Sequence, residues 1–114
     1  MKAVILAAGR GSRLLSLTDD RPKCLVNLHG KPLLHWQLEA LKKAGIKDFL
    51  VVRGYLKEKI VGNFETTENR KWNQTNMVAS LMCARQWLRD SPCIVSYSDI
   101  IYPSEAVDRL IEAA

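Results

Sequence analysis

The stretch KAVILAAGRGSRLLSLTDDRPKCL, residues 2–25, decides the fold that this sequence predicts. Residues 2–7 form a continuous apolar run rich in strand-forming side chains, which is typical of a strand buried on both faces of a parallel sheet. The polar loop that follows, residues 8–22, reaches the length of about 12–15 residues beyond which a connection is usually functional. We therefore expect a central strand that runs directly into a binding loop.

Strand and helix patterns alternate along the rest of the chain. The predicted helices span residues 33–44, 55–60, 75–89 and 104–114, and the further predicted strands span residues 47–53, 63–67 and 93–98. Pro32 is expected in the first turn of its helix, Gly45 just beyond the end of that helix, and Ser104 at the start of the last one. Strands separated by helices predict an α/β protein with a mostly parallel, three-layer α/β/α, Rossmann-like sheet. Without an internal repeat or linker, residues 1–114 are expected to form one domain.

Composition narrows the class of protein. The chain has 114 residues, of which 47% are hydrophobic and 25% are charged, and these are ordinary values for a globular domain. The sequence shows neither a signal peptide nor an apolar run near the ~18 residues of a membrane helix, so we expect a cytoplasmic protein without membrane contact. Cys24, Cys83 and Cys93 form no CxxC pair, which favours structural thiols over a disulfide framework or a zinc site.

The net charge of +5 permits an anionic partner without naming one. Nucleic-acid binding usually requires a basic stripe interleaved with stacking aromatic side chains. Lysine and arginine are scattered in this sequence, and Trp36, Trp72 and Trp87 fall mostly in helical patterns, where packing is their expected role. We therefore do not expect a nucleic-acid partner.

The long loop has the chemistry of a phosphate site. Its small residues allow a ligand to approach the backbone closely, and its basic residues add positive charge. The small residues are Ala7, Ala8, Gly9, Gly11 and Ser12, and the basic ones are Arg10, Arg13, Arg21 and Lys23. The loop begins at the carboxyl end of a strand, where open α/β sheets bind their ligands. The familiar phosphate motifs do not fit, because Leu14 replaces the third glycine of GxGxxG and no GxxxxGK[ST] is present.

The segment as a whole resembles the signature LAAGxGxRL…T…PKxL of the sugar-nucleotidyltransferase-like family. The likeness continues through the residues GKPLL at 30–34 and the strand that leads to Asp99, so that it covers essentially the whole chain. It implies a nucleotidyltransferase, in which a phosphate or phosphonate oxygen attacks the α-phosphate of a nucleoside triphosphate and pyrophosphate leaves. The resemblance assigns the nucleotide to the backbone of Leu6, Ala7, Ala8, Gly9 and Gly11.

The same resemblance assigns three charged roles. Arg13 would bind the β- and γ-phosphates, Lys23 would neutralise charge at the α-phosphate, and Asp99 would hold Mg²⁺. An acidic residue at the end of a strand suits Mg²⁺, which takes one or two carboxylates together with phosphate oxygens. A cap for the following turn is the alternative role for Asp99.

Residues 73–81, NQTNMVASL, resemble the base-reading helix start of choline-phosphate and 2-aminoethylphosphonate cytidylyltransferases. Asn76 offers the donor and the acceptor that cytosine requires, and Ser80 lies one turn later on the same face. The resemblance therefore favours CTP over UTP, although Thr75 as a helix cap explains part of this pattern. The implied acceptors are phosphocholine, phosphoethanolamine or 2-aminoethylphosphonate, with a sugar 1-phosphate as the alternative. Trp72 in a cationic headgroup pocket is an alternative to plain packing.

Members of the family are about twice as long, and their second halves carry further strands and usually a second acidic metal ligand. The sequence is therefore expected to be an N-terminal part whose last strand has an exposed edge, to be covered by a missing half or by a second copy. A nucleotide-binding module without catalysis remains the alternative to an enzyme.

Overall fold

Four parallel strands form the centre of the molecule in the computed structural model, which describes residues 1–8, 21–72, 74, 77–90, 92–97 and 102–113 and omits the side chains of Lys23 and Met77. The strands are β1 (Lys2–Ala7), β2 (Asn27–Leu28), β3 (Lys31–Pro32), β4 (Asp48–Arg53), β5 (Glu65–Glu68) and β6 (Cys93–Tyr97), and the helices are α1 (Leu33–Lys43), α2 (Met77–Cys83), α3 (Arg85–Asp90) and α4 (Ser104–Ala113). The main sheet has the order β5-β4-β1-β6, and every pair in it is parallel. The predicted α/β class is confirmed.

Helices cover both faces of this sheet, because alternate side chains of the strands point to opposite sides. One face carries Ile5 and Val51 against α1 and α4, and the other carries Val4 and Val52 against α2 and α3. Since β1 and most of β4 are buried on both faces, their sequences read as nearly continuous apolar runs.

Helix α1 begins and ends as its flanking residues dictate. Pro32 is the cap residue at φ −58° and ψ 146°, one position before the first helical turn in which it was expected. At the other end, Gly45 adopts φ +94° and donates its N–H to the carbonyl of Lys42, while Ile46 donates to Leu41. This pair of bonds is a Schellman motif, which requires a left-handed residue at the position of Gly45. The predicted helix stop is confirmed.

The hairpin of β2 and β3 was not predicted from the sequence. Its turn consists of His29 at φ 51° and Gly30 at φ 79°, the two positive values of a type I′ turn. Strands of two residues carry too little alternation to be recognised in a sequence. The hairpin is held against α1 by the Trp36 indole, whose Nε1 donates to the Leu28 carbonyl at 2.8 Å.

The predicted helix over residues 75–89 is two helices, α2 and α3, which meet at Ala84. The N–H of Ala84 donates to the Leu81 carbonyl, and the Arg85 guanidinium donates to the Met82 carbonyl at 3.0 Å. Ala84 is buried against the sheet at this break. Because no glycine or proline marks the site, the residue pattern alone could not show it.

Three other boundaries differ from the expectations by a few residues. The short third strand is β5, at Glu65–Glu68, and residues 55–60 contain a 3-10 turn at Lys57–Lys59 in place of a short helix. Leu56, just before that turn, has φ 47°, which is incompatible with a continuous helix. Strand β6 is described as far as Tyr97, and Ser98 lies outside the described residues.

Strand β6 is an edge of the sheet within the described part of the chain. Its outward side chains Val95 and Tyr97 are 42% and 48% exposed, as expected for a strand that has only β1 as a neighbour. Among the described residues, none of the helices has the length and apolar character needed to cross a bilayer.

Gly54 packs where β4 ends beside β1. A Cβ atom at this position would lie 2.7 Å from the Ala8 carbonyl oxygen and 2.7 Å from Cβ of Trp72. Neither atom is the movable end of a side chain, so only glycine fits between them.

We expect Gly54→Ala to lower the free energy of unfolding by about 1–3 kcal/mol, the usual cost of overpacking a tight site. Gly62→Ala is the matched control, because the Cβ there meets only ring atoms of Phe64, whose side chain can rotate. Urea denaturation of both variants measures the difference. Equal destabilisation by the two substitutions would contradict this account of Gly54.

Candidate functional site

The carboxyl ends of the four parallel strands lie at one edge of the sheet. Ala7 pairs with Arg53, Arg53 pairs with Glu68, and Leu6 pairs with Tyr97, so the strand ends agree to within about one residue. Open α/β sheets bind ligands at this edge. The loop that follows β1 therefore starts where the predicted site requires it.

Leu6, Ala7 and Ala8 are the predicted nucleotide-binding residues of β1 and its exit, and all three lie at this edge with buried side chains. The carbonyl of Ala8 accepts the N–H of Tyr55 at 2.8 Å, which fixes the direction in which the chain leaves β1. These three residues therefore form the buried base of the edge, directly before the loop that begins at Gly9.

Tyr55 and Trp72 form an aromatic pair beside the exit of β1. Their ring centroids are 5.0 Å apart with an interplanar angle of 66°, an edge-to-face contact. Trp72 also packs against the buried cluster that contains Leu6 and Ala8. Its contacts in this structure are those of a packing residue, the role expected of the three tryptophans.

Asn69 is a residue of this edge that sequence reasoning missed. Its N–H donates to the Arg53 carbonyl at 2.8 Å, and its Nδ2 donates to the Ser80 hydroxyl at 3.2 Å. Both side chains are buried, and Oδ1 of Asn69 accepts the N–H of Lys71 at 3.1 Å. Asn69 thus links the ends of β4 and β5 to helix α2.

Ser80, a predicted base-contacting residue, lies in this buried pair. A hydroxyl both donates and accepts, and the contact with Asn69 uses only its acceptor capacity. The structure brings Ser80 to the carboxyl edge, on the same side of the sheet as Ala8 and Trp72.

A second set of buried polar side chains lies at the end of β6. The Ser96 hydroxyl donates to Oε1 of Gln37 at 3.2 Å and lies 2.9 Å from the Tyr102 hydroxyl, while Nε2 of Gln37 donates to the Tyr97 carbonyl. Burial raises the pKa of the Tyr102 phenol, and its hydrogen bond with Ser96 offsets part of that shift. Tyr102 therefore keeps its proton at neutral pH and can donate it in a hydrogen bond.

Several predicted site residues lie outside the described residues, and their roles stay predictions. They are Gly9, Gly11, Arg13, Asn76 and Asp99. Lys23 opens a 3-10 turn, Lys23–Leu25, in which Leu25 donates its N–H to the Pro22 carbonyl at 3.0 Å. The neighbouring Cys24 is buried, and burial raises the pKa of its thiol to about 12, so it is not a nucleophile at neutral pH.

The carboxylate described at this edge is already paired. Glu68 accepts hydrogen bonds from Lys57 and from Arg70, and the Lys57 ammonium in particular lowers the pKa of its carboxyl group. Within the described part of the chain, His, Cys, Asp and Glu form no group of three or more that could hold a metal ion. The predicted metal ligand, Asp99, lies outside the described residues.

The opposite edge of the sheet carries open grooves. One of about 520 Å³ is lined by Lys2, Lys47, Asp48 and Glu65 among others, and one of about 390 Å³ adjoins it at Gly62 and Phe64. These residues begin the strands, so the grooves lie a strand length, roughly 20 Å, from the exit of β1. Their walls carry both signs of charge and lack the glycine-rich loop, which makes them poor candidates for a triphosphate.

Comparison with known proteins identifies the family to which this chain belongs. The profile of the MobA-like NTP transferase domain matches residues 3–114. A CTP:phosphoglutamine cytidylyltransferase of Campylobacter jejuni is 40% identical over 99% of this chain and 49% of its own length. A choline-phosphate cytidylyltransferase of Haemophilus influenzae is 34% identical over 89% of this chain and 45% of its own. The chain thus spans about half the length of the curated relatives that it matches.

Solved structures agree with the observed fold. The CTP:phosphocholine cytidylyltransferase of Streptococcus pneumoniae superposes with a TM-score of 0.81 at 34% identity, over 91% of this chain and 49% of that one. A UDP-glucose pyrophosphorylase in complex with UDP-glucose gives a TM-score of 0.82 over 98% of this chain and 52% of its own, at 18% identity, which bears on the fold alone. The chain belongs to the family of MobA-like NTP transferase domains and has the fold of a nucleotidyltransferase.

Proposed function

We propose that this chain is the nucleotide-binding part of a cytidylyltransferase, which transfers CMP from CTP to a phosphate or phosphonate acceptor. The observation that carries the proposal is the placement of Leu6, Ala7 and Ala8. These residues bring β1 to the carboxyl edge of the sheet, directly before the loop with Gly9 and Gly11. Main-chain N–H groups in such a loop suit anionic oxygens.

The chemistry requires charge neutralisation more than acid–base catalysis. The acceptor oxygen is already anionic, so it forms its bond to the α-phosphorus of CTP without a general base. The bond between the α-phosphorus and the bridging oxygen breaks, and pyrophosphate leaves with that electron pair. Arg13 would hold the β- and γ-phosphates and Lys23 would neutralise the α-phosphate, where charge develops in the transition state.

Mg²⁺ is the proposed metal, with Asp99 as its ligand from this chain. When bound, it supplies Lewis-acid stabilisation of the phosphate oxygens. Asp99 follows Tyr97 by two positions in the sequence, and the hard oxygen ligands of a carboxylate suit this ion.

Asn76 and Ser80 offer the donors and acceptors that the edge of a pyrimidine requires, and Asn69 holds the Ser80 hydroxyl. The names of the aligned relatives favour CTP over UTP. Three relatives named as cytidylyltransferases, for phosphoglutamine, choline phosphate and 2-aminoethylphosphonate, align with 89–99% of this chain, and a further choline-phosphate cytidylyltransferase aligns with 51% of it. Those named as uridylyltransferases for N-acetylmuramate 1-phosphate and glucose 1-phosphate align with 53% and 57% of it.

The acceptor is proposed to be a small phosphorylated or phosphonylated metabolite, of the kind named for the cytidylyltransferase relatives. A sugar 1-phosphate is the second candidate, because uridylyltransferases that use such acceptors share 45–48% identity with part of the chain. CTP and these acceptors are metabolites of the cytoplasm, which is therefore the proposed place of action.

We expect CTP with Mg²⁺ to bind about tenfold more tightly than ATP or GTP, a difference of roughly 1.4 kcal/mol, comparable to one or two neutral hydrogen bonds to the base. Isothermal calorimetry with the four nucleoside triphosphates measures this preference. Asn76→Ala should abolish the preference and keep the binding of the phosphates. Asn63→Ala, a change at the opposite edge, is the matched control. Equal affinities for all four nucleotides in the unsubstituted chain would contradict the assignment of the base.

In an enzyme that joins this chain to the remaining half of the fold, we expect Asp99→Asn to lower pyrophosphate release from CTP and acceptor by several orders of magnitude, because the neutral amide holds Mg²⁺ weakly. The chain of 114 residues alone is expected to bind CTP with little or no turnover. The thermal unfolding midpoint should change little. Asp48→Asn removes an exposed carboxylate at the amino end of β4 and should leave turnover unchanged.

Lys23→Ala provides the complementary comparison. It should lower turnover and leave the affinity for Mg²⁺ nearly intact, because Lys23 is proposed to act on the α-phosphate directly.

If Asp99→Asn unfolds the protein while Asp99→Ala still consumes CTP, then Asp99 is a structural cap and not a metal ligand. CTP binding without pyrophosphate release from any acceptor would favour a nucleotide-binding module.

A further inference from the structure

Asn69 and Ser80 are buried polar residues that bond to each other at the carboxyl edge of the sheet. Asn69 is 6% exposed and Ser80 is 5% exposed, and Nδ2 of Asn69 lies 3.2 Å from the Ser80 hydroxyl oxygen. Burial of polar groups is costly unless their donors and acceptors are paired. The orientation of the Asn69 amide therefore decides which hydrogen-bonding group of Ser80 remains for a ligand.

Main-chain contacts fix the orientation of the Asn69 amide. The N–H of Lys71, which can only donate, bonds to Oδ1 of Asn69 at 3.1 Å. The other end of the amide, Nδ2, is a donor and faces Ser80. Asn69 also donates its own N–H to the Arg53 carbonyl at 2.8 Å, at the end of β4. A rotation that exchanged the amide oxygen and nitrogen would place two donors against each other, so the observed orientation is the stable one.

In this orientation the Ser80 hydroxyl accepts a hydrogen bond and keeps its own hydrogen to donate. Among the described residues, Asn69 is the one hydrogen-bond partner of this hydroxyl. A buried hydroxyl whose hydrogen finds no acceptor costs free energy. A ligand group beside Ser80 is therefore favoured if it is an acceptor.

Contacts between neighbouring elements connect Ser80 to the exit of β1. Asn69 is bonded to Arg53, and Arg53 pairs with Ala7 in the sheet. Helix α2, which carries Ser80, packs on the same side of the sheet as Ala8. Ser80 therefore belongs to the edge at which the nucleotide is proposed to bind.

The two pyrimidine bases differ in the group that the Ser80 hydrogen would meet. N3 of cytosine is an acceptor, whereas N3 of uracil carries a hydrogen and is a donor. The hydroxyl can donate directly to N3 of cytosine. Beside uracil its second lone pair can accept the N3 hydrogen, but the hydrogen of Ser80 is then left buried without an acceptor, which is unfavourable.

We propose that Asn69 is a positioning residue that sets the preference for cytosine over uracil, because it makes the Ser80 hydroxyl a donor toward the base. This inference rests on the proposed function, in which Ser80 contacts the base of the nucleotide. A site that pairs a specific donor with an acceptor on its ligand rejects an analogue that leaves the donor unpaired.

The test is the ratio of the dissociation constants of UTP and CTP, measured by calorimetry on the chain with Mg²⁺. Both nucleotides carry the same triphosphate, so the ratio isolates the contribution of the base. We expect the unsubstituted chain to bind CTP about fivefold more tightly than UTP, which is the difference that one neutral hydrogen bond makes.

Asn69→Asp reverses the direction of the bond to Ser80. A carboxylate that accepts two hydrogen bonds is ionised at neutral pH, so Ser80 must donate to it and presents only lone pairs to the base. We expect the ratio to fall by about fivefold or more, to one or below. Asn63→Asp makes the same chemical change at the opposite edge of the sheet and should leave the ratio unchanged.

Ser80→Ala tests whether Asn69 acts through the hydroxyl. Without the hydroxyl the ratio should approach one. Adding Asn69→Asp to this variant should change the ratio by less than about twofold, because the two substitutions remove one interaction. The thermal unfolding midpoint of each variant, followed by circular dichroism, checks that the chain is folded.

The outcomes distinguish this inference from the proposed function. Absence of CTP and UTP binding in the unsubstituted chain overturns the proposed function and this inference with it, and equal affinities for the two overturn the assignment of the base. A CTP preference that a folded Asn69→Asp retains within about twofold overturns the positioning role alone, as does an effect of Asn69→Asp that persists in Ser80→Ala. If Asn69→Asp does not fold, Asn69→Ala decides, because it removes the donor to Ser80, and an unchanged ratio in that variant overturns the inference.

Discussion

The parallel pairing of β1 with β4 on one side and β6 on the other is the constraint on which the rest of the structure depends. Because both pairs are parallel and in register, the exits of these strands lie at one edge of the sheet. Because β1 is buried on both faces, a shift of its register would move apolar side chains out of the core. The ends of β1, β4 and β6 thereby lie in the same region.

A hydrogen bond to a main-chain carbonyl holds the ends of three of the four strands, β1, β4 and β6, at this edge. The carbonyl of Ala8 accepts a bond from Tyr55, that of Arg53 from Asn69, and that of Tyr97 from Gln37. Each donor lies on a different element from the strand it holds, so neighbouring strands and helices fix the directions of the loops. Chemistry carried on loops requires such a scaffold, because small displacements of catalytic groups are costly.

The sequence alone predicted the features that depend on residues close together in the chain. The apolar run of β1, the leucine stripe of α1 and the glycine that stops that helix each carry their own signal within a few residues. The features it could not show depend on distant partners or on very short elements. The break at Ala84 follows from packing on the sheet, and the hairpin strands are only two residues long.

The candidate site also has some features that the sequence predicted and others that it could not show. A motif and the strand before it predicted the placement of Leu6, Ala7 and Ala8, because a loop after a parallel strand has only one edge at which to lie. The pairing of Ser80 with Asn69 joins residues eleven positions apart, and Gln37 reaches residues about sixty positions away. Neither contact has a sequence pattern, and only the fold brings the partners together.

The most direct measurement is the change in backbone amide NMR shifts when CTP and Mg²⁺ are added to the chain. We expect the largest changes at Ala7, Ala8 and Ser80, at the carboxyl edge of the sheet, and negligible changes at Gly62 and Asn63, in the grooves of the opposite edge. Changes concentrated around Gly62 and Asn63, with the amides of Ala7 and Ala8 unmoved, would contradict the nucleotide site described for this chain.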